Sequence, residues 1–413
     1  PSNEPMGDAA HYVERQIPPV EDVATYLKRQ QTPKITADML PSLLPQLPSH
    51  VALLNNDNAR LSNTTWLRKL LSIESNPPID QVIEAGAVER LLEILKWQSD
   101  PRLQMEAAWA LLNITSGNTA HVAAVVDAEA VSIFVMRLSS PVEDVAEQCA
   151  WAIGNIAGDS TRYRDVVLRA HALGPLLGLL PQSSRVSTLR TTTWALSILC
   201  RGKPQPEFHS VSPALPCLAE LICVADEEVL TDACWALSHL SDGSNDKIQA
   251  VIEAGAVPRL VELLGHASPS VQTPSLRAIG NIVTGEERQT QVVIDCQALP
   301  RLLRLLSSPE QSLRKDACWA VSNITAGSKD QIQSVIDNGL VPTLLQLLAT
   351  ETESPVKKEA VWAISNVTNG GTVEQIRYLV AQQCVRPLCD VLAVHDNRTV
   401  LAALTGIENI LKE

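Results

Sequence analysis

Aromatic side chains are scarce in this sequence, which has only 2 Phe and 4 Tyr among its 413 residues but 8 Trp. Hydrophobic residues make up 45% of the chain, enough for a continuous core that aliphatic side chains must largely fill. Because tryptophan is retained while the other aromatic residues are nearly absent, we infer that the indole rings do something other than supply bulk.

Positive charge is also in short supply. The sequence has 33 Lys and Arg against 46 Asp and Glu, which gives a net charge of −13 at pH 7. This balance argues against nucleic acid and anionic membranes as partners and favours basic ligands. The apolar runs are far shorter than a bilayer-spanning helix requires, and no signal peptide is recognisable.

Motifs for metal binding and catalysis are missing from the sequence. The 9 Cys are an odd number without a CxxC pair, and no HExxH motif or histidine cluster accompanies them, so we expect neither a metal nor another cofactor. We expect the thiols to be buried and reduced, as in a cytosolic or nuclear protein. No Ser/His/Asp, Cys/His or phosphate-loop arrangement supports an enzyme.

The sequence does contain a recurring pair in which asparagine follows tryptophan by four residues. The four pairs are Trp109/Asn113, Trp151/Asn155, Trp319/Asn323 and Trp362/Asn366. Positions i and i+4 share one face of a helix. An indole face accepts the stem and charge of a cation, and a carboxamide has one acceptor and two donors for a peptide backbone. The pattern predicts a surface for basic peptides; alternatively, the Asn side chains cap neighbouring turns.

The pairs belong to a longer repeat. The tryptophan position recurs every 41 to 43 residues and is occupied in order by Trp109, Trp151, Trp194, Trp235, Arg277, Trp319, Trp362 and Thr405. This period is typical of armadillo or HEAT units, which stack in a row because one unit cannot bury its apolar face alone. Trp66 lies one period earlier but is followed by Leu70, so we expect Trp66, like Trp97, to pack rather than bind.

Each unit is expected to consist of helices. A short apolar helix is marked by phrases such as EAGAVERLLEIL (84–95) and DNGLVPTLLQLL (337–348). The tryptophan helix follows, and glycines such as Gly117 and Gly285 are expected to cap its C-terminal end. Residues 51–413 therefore form one predicted repeat domain. Residues 1–50 contain eight of the 26 prolines and lack the repeat, which predicts a poorly ordered or loosely packed arm.

With these residues in view, the sequence from about residue 60 to 413 resembles the importin-α (karyopherin-α) family, armadillo adapters for nuclear localisation signals. The strings that carry the resemblance are WALLNITSG (109–117), WAIGNIAGD (151–159), RAIGNIVTG (277–285) and WAVSNITAG (319–327). The resemblance implies an all-α, right-handed superhelical solenoid of about ten armadillo repeats. It also implies a non-enzymatic adapter that shuttles between cytoplasm and nucleus, with importin-β and an export receptor as partners.

The resemblance implies that lysine/arginine-rich peptides bind at two sites in a concave groove. The implied major site comprises Trp109, Asn113, Gly117, Gln148, Trp151, Asn155, Asp159, Trp194, Asp232 and Trp235, with Glu106 nearby. The implied minor site comprises Arg277, Asn281, Thr284, Glu287, Asp316, Trp319, Ser322, Asn323, Glu359, Trp362 and Asn366. Asp159 matches the family's anchor for a key lysine; alternatively, it is a solvated residue at a helix end. Arg277 alternatively pairs with an acid such as Glu359.

The sequence departs from the family pattern mainly at the major site. Ile198 stands where Asn is expected after Trp194, and His239 stands where Tyr is usual after Trp235. Val122 replaces a Thr and Thr191 replaces an Asn. We therefore expect the usual preference for the major site to be weakened.

Two further expectations concern the rival function and the extent of the chain. An armadillo scaffold of the catenin type is the alternative, but those grooves are basic and bind acidic segments, whereas this chain is acidic. The family's Arg-rich N-terminal segment, which binds importin-β, and its acidic C-terminal tail are not recognisable here. We therefore expect the sequence to be part of a longer protein.

Overall fold

The structure is a computed structural model that describes residues 35–97, 100–351 and 355–413. Within these ranges the chain forms helices and no β-strand. The predicted helical class is therefore confirmed, and the absence of strands follows from the helical periodicity of the apolar residues.

In the described ranges, nine helices, which we call the ladder helices, carry the repeating position of tryptophan. They are Arg60–Leu71, Pro101–Thr115, Glu143–Asp159, Val186–Cys200, Glu227–Ser241, Pro269–Ile282, Gln311–Thr325, Pro355–Gly370 and Asn397–Lys412. We name each by the residue at that position, from the Trp66 helix to the Thr405 helix. Every ladder helix packs against the next one in chain order, as expected for stacked repeats.

Two shorter helices precede each ladder helix after the first. The pairs are Ile79–Glu84 and Ala87–Trp97, Thr119–Asp127 and Ala130–Arg137, Thr161–Arg169 and Leu173–Leu179, Phe208–Val211 and Leu215–Leu221, Asn245–Glu253 and Val257–Leu263, Glu287–Asp295 and Ala298–Leu306, Lys329–Asp337 and Leu340–Thr350, and Val373–Ala381 and Val385–Val391. The sequence predicted only the second member of each pair. The phrase EAGAVERLLEIL crosses from one short helix to the next, and Gly86 turns the chain with a φ of 73°, a conformation that favours glycine.

The core runs along the stack because small residues bring the ladder helices together. Ala108, Ala110, Leu111 and Ile114, on either side of Trp109, are all fully buried. This confirms that these positions face neighbouring helices, and it leaves the tryptophan side of the helix as the distinct face.

Buried glutamines tie the first short helices together. The side chain of Gln331 caps its own helix by accepting from the Ser328 backbone N–H (3.2 Å) and donates to the Glu287 carbonyl of the preceding repeat (2.9 Å). Gln375 repeats both contacts one layer later, with Thr372 and Lys329. One glutamine side chain thus bonds a backbone N–H at the start of its helix and also fixes the position of one repeat against the next.

The glycines after the ladder helices have a different role from the one predicted. Gly202 and Gly243 do have a positive φ, of 106° and 144°, but Gly117 and Gly285 do not. A β-carbon on Gly117 would collide with His121 Nδ1, and one on Gly285 with Gln289 Oε1. At these two positions the glycine N–H still bonds the last helical turn, to the Ile114 and Ile282 carbonyls (3.1 Å each), but what requires glycine is the room it makes for the side chain that caps the next helix.

The described chain begins with short helical turns before the repeats. They comprise Ala37–Met39, Leu40–Leu43, Leu44–Gln46, Leu47–Ala52 and Leu53–Asn55. Leu47, Val51 and Leu54 are buried against the stack, while most residues from 36 to 46 are not. Residues 1–34 of the predicted arm lie outside the described residues, so that part of the domain boundary stays a prediction.

The cysteines are less uniform than predicted. All nine are free; five are buried, but Cys223 and Cys389 are exposed and Cys217 and Cys296 are half-buried. The expectation of buried thiols is therefore wrong for four of them. In the described ranges no single helix is long and apolar enough to cross a membrane, and one pair, Thr119–Asp127 and Ala130–Arg137, meets that test only together, across a bend of 81°.

Candidate functional site

One face of the ladder helices carries the tryptophan positions together with the residues four positions later. We call it the ladder face. Trp151, Trp194, Trp235, Trp319 and Trp362 are all half-buried on it. Half-burial leaves part of each indole in contact with solvent while the rest is fixed by packing. Rigid, partly exposed indoles can take up the stems of long cationic side chains.

Glycines of the preceding helix hold two of these indoles in place. A β-carbon on Gly154 would collide with Cζ3 of Trp194, and a β-carbon on Gly280 would collide with Cζ3 of Trp319. The sequence reasoning missed both glycines. The available signal was a glycine in the middle of a helix, which costs about 1 kcal/mol relative to alanine and so calls for a packing reason.

The asparagines bridge consecutive ladder helices. Asn113 Nδ2 donates to Ser72 Oγ (2.9 Å) and Asn155 Nδ2 donates to Thr115 Oγ1 (3.3 Å). Asn281 and Asn366 donate to the backbone carbonyls of Ser238 and Ser322, each at 2.8 Å. The alternative that these side chains cap neighbouring turns thus describes their amide N–H groups. The bonds also orient each carboxamide and leave its oxygen as an acceptor for a ligand. Asn281 engages both of its N–H groups, since its Nδ2 also donates to Ser241 Oγ (3.3 Å).

Asn323 differs from the other asparagines. Within the described residues, its buried Nδ2 atom has no hydrogen-bond partner. A buried donor without a partner costs about 1–3 kcal/mol.

Trp109 is more enclosed than the other indoles of the ladder face, with 9% of its surface exposed. The guanidinium of Arg68 lies over its ring, 4.5 Å from the centroid. Glu106, 1% exposed, holds that guanidinium through two contacts, of 2.7 and 3.1 Å. Glu106 therefore pairs with a cation that belongs to the chain itself. Arg68 covers a part of the Trp109 indole that the sequence analysis assigned to a ligand. No sequence pattern predicted this role of Arg68, because the role depends on the contact between two helices.

The Trp151 helix ends at a carboxylate residue, Asp159. Asp159 is the last residue of Glu143–Asp159 and is half-buried. Among the described atoms, its buried Oδ2 has no hydrogen-bond partner. A desolvated carboxylate oxygen of this kind favours a cation. Gly117 is exposed one layer earlier, so its backbone is accessible.

The remaining polar residues of the two implied sites fall into two groups. Asp232 and Ser322 are buried, and the Ser322 hydroxyl donates to the Trp319 carbonyl (2.8 Å). Gln148 is half-buried, while Thr284 and Glu287 are exposed. The Thr284 hydroxyl donates to the Asn281 carbonyl (2.6 Å), which leaves its oxygen as an acceptor.

The Trp194 and Trp235 helices lack the carboxamide. Ile198 replaces it on the first and is 6% exposed. On the second, the ring of His239 stacks against Trp235 at 6.0 Å with an interplanar angle of 24°. This part of the ladder face is more apolar than the parts on either side.

A built-in cation lies at the Arg277 position. Arg277 Nη2 is 3.6 Å from Asp316 Oδ2 on the next ladder helix, and the guanidinium lies 5.9 Å from the Trp319 ring centroid. Lys315 Nζ is 3.3 Å from the other oxygen of Asp316. Arg277 therefore pairs with an acid, as the alternative interpretation predicted, but that acid is Asp316 rather than Glu359.

Glu359, three residues before Trp362, is an acid whose proton affinity is increased by its surroundings. Burial raises the pKa of its carboxyl to about 7, the nearby Lys315 works against this, and Asp316 adds to it. At neutral pH a substantial fraction of Glu359 is therefore protonated, and a cation bound beside it would favour ionisation. Among the described residues there is no cluster of three or more His, Cys, Asp or Glu side chains that could hold a metal.

The repeats match a known family model. The model described as armadillo/beta-catenin-like repeat matches residues 75–116, 118–158, 160–201, 211–242, 244–284, 286–326, 328–368 and 372–412. The matched repeats number eight rather than about ten, and the Trp66 helix precedes the first of them. The crystal structure of an engineered protein superposes with a TM-score of 0.83 at 28% identity, covering 95% of this chain and 94% of that one.

The relatives that are more than half identical to the chain over the matched residues include three importin subunits alpha that match most of its length. Importin subunit alpha-2 of Arabidopsis thaliana is 57% identical over 394 residues, covering 94% of this chain and 74% of that protein. Importin subunit alpha-1b of Oryza sativa subsp. japonica is 56% identical over 375 residues, covering 90% and 70%. Importin subunit alpha-B of Dictyostelium discoideum is 56% identical over 384 residues, covering 92% and 74%. Since these relatives match most of its length and armadillo repeats fill most of it, the chain belongs to the importin-α family of nuclear import adapters.

Proposed function

We propose that the ladder face is a concave groove that binds lysine/arginine-rich nuclear localisation signals of cargo proteins. A major site extends along the Trp109, Trp151, Trp194 and Trp235 helices, and a minor site along the Arg277, Trp319 and Trp362 helices. The observation that carries the proposal is the recurrence of a fixed indole beside an oriented carboxamide. Indoles hold lysine and arginine stems, and carboxamides hold the backbone of an extended peptide.

The charges on the ladder face support a basic ligand. Asp159 has a buried oxygen without a partner among the described atoms, and Glu359 is ionised only in part at neutral pH because burial raises its pKa to about 7. Both carboxyls therefore gain from a nearby cation. An acidic ligand would add to the repulsion from a net charge of −13.

The adapter role requires further partners. We infer that the protein links cargo to importin-β through an N-terminal basic segment of the family, and that an export receptor returns it to the cytoplasm. It would then shuttle between cytoplasm and nucleus as a transport adapter without enzymatic activity. The relatives support this inference, since they are importin-α subunits.

Calorimetric titration with two peptides of equal length tests the proposal. A lysine-rich peptide should bind, and an acid-rich peptide, the ligand of a catenin-type scaffold, should not. Trp151→Ala should weaken the major site and Trp362→Ala the minor site, while the double variant should lose most binding. Binding of the acid-rich peptide, or an unaltered affinity of the double variant for the lysine-rich peptide, would refute the proposal.

A further inference from the structure

A polar bridge between ladder helices is replaced by an apolar contact at one place. Asn155 donates to Thr115 Oγ1, and Asn281 donates to Ser241 Oγ, in both cases 40 residues earlier and at 3.3 Å. At the same position of the Trp194 helix stands Ile198, and 40 residues earlier stands Gly158. Ile198 Cγ2 lies 3.6 Å from where a β-carbon of Gly158 would be. Neither residue has a hydrogen-bonding side chain.

The apolar character continues to the next helix. Trp194 packs so close to Gly154 that a β-carbon there would collide with its ring. The ring of His239 stacks against Trp235 and enlarges the aromatic surface there. Between Trp194 and Trp235, a bound peptide therefore meets aromatic rings and an aliphatic side chain.

The consequence concerns the backbone of the peptide. Over the Trp109 and Trp151 helices, the oxygens of Asn113 and Asn155 can accept a peptide N–H. Ile198 cannot, so a peptide N–H above it loses its partner on leaving water. Loss of one such bond weakens binding by about tenfold. Proline has no backbone N–H to lose, and prolines dock readily on aromatic-lined grooves.

We propose that the stretch of the ladder face between Trp194 and Trp235, floored by Ile198, is a subsite that selects proline at one position of the bound peptide. The inference rests on the proposed function, because it requires that an extended peptide occupy the ladder face. It adds a preference that depends on the backbone of the peptide rather than on its charge.

Backbone N-methylation of a lysine-rich peptide, one position at a time, tests the inference by calorimetry with the full chain. N-methylation removes a single N–H and keeps the side chain. We expect a loss of about tenfold where an asparagine faces the peptide N–H, but less than twofold at the position whose N–H lies above Ile198. Proline at that position should bind at least as tightly as alanine.

Two variants assign the tolerant position to Ile198. Ile198→Asn should make that position as sensitive as its neighbours, with a loss of about tenfold on N-methylation. Asn155→Ile should create a second tolerant position, and it tests the same principle if Ile198→Asn fails to fold. Equal sensitivity at all positions with the unaltered chain, or unchanged profiles in both variants, would overturn the inference. Failure of the unmodified peptide to bind would instead overturn the proposed function, and this inference with it.

Discussion

Arg277 and Asp316 face each other across consecutive ladder helices, 3.6 Å apart, with the Arg277 guanidinium also over the ring of Trp319. Here, as at Trp109 with Arg68, the chain itself supplies the cation that we assign to a ligand elsewhere on the ladder face. The pair divides the ladder face into two stretches, one from Trp109 to Trp235 and the other from Trp319 to Trp362.

Replacing Arg277 should therefore strengthen binding at the minor site. In a Trp151→Ala background, which leaves the minor site, Arg277→Gln should raise the affinity for a lysine-rich peptide by a few-fold, because Asp316 loses a competing cation. The free energy of unfolding should fall by about 1–3 kcal/mol, since the buried carboxylate of Asp316 loses a partner. Arg288→Gln is the matched control, because Arg288 is exposed and its ion pair is with the exposed Glu286. Weaker peptide binding in the Arg277 variant would contradict the prediction.

Asp159→Lys should nearly abolish binding of a peptide with a single basic cluster at the major site. A charge-assisted contact to the partnerless oxygen is worth about 1.5–3 kcal/mol, or about one to two decades in affinity, and the reversed charge adds repulsion. Calorimetry measures the loss. Asp390→Lys makes the same charge change at an exposed residue off the ladder helices and should leave the affinity nearly unaltered. Similar affinities for the two variants would show that Asp159 is not the anchor.

Binding at the minor site should strengthen as pH rises through about 7, the raised pKa of Glu359. A bound cation favours the ionised carboxyl, so binding near pH 7 should release a proton, measurable by calorimetry in buffers of different ionisation enthalpy. The stability of the folded chain should change with pH in the opposite direction. The folded-state pKa lies above the usual value of 4.5, so this group's contribution is present below pH 4.5 and is lost as pH rises towards 7. Glu359→Gln should flatten both trends; trends that persist in this variant would assign them to another group.

Gly154→Ala should destabilise the stack, because its β-carbon would collide with Trp194. Overpacking of this kind costs about 1–3 kcal/mol, and the displaced indole should also weaken peptide binding. Gly178→Ala is the matched control, since a β-carbon there meets nothing within 4 Å. It lies in the helix Leu173–Leu179 and should be neutral or stabilising by about 0.5–1 kcal/mol. Thermal unfolding of the two variants measures the difference, and equal midpoints would argue against the glycine–indole contact.

The sequence predicted the repeat and the class of fold because both are written in local spacing. A recurrence of about 42 residues marks stacked units, and Trp151 with Asn155 must share a helix face whatever surrounds them. The burial of Ala108 and Ile114 followed from the same periodicity. The first short helix of each repeat escaped prediction, because the phrase from Glu84 reads as one apolar segment while Gly86 turns the chain within it.

By itself, then, the sequence determined the stacked helices, the face that carries Trp and Asn, and the acidic balance that favours a basic ligand. Only the tertiary structure decided which of these groups are already engaged. Arg68 covers Trp109, Arg277 pairs with Asp316 rather than Glu359, and Gly154 supports Trp194. Each of these contacts joins residues about 40 positions apart on neighbouring helices, where distance and orientation depend on how two repeats pack and not on spacing within either one.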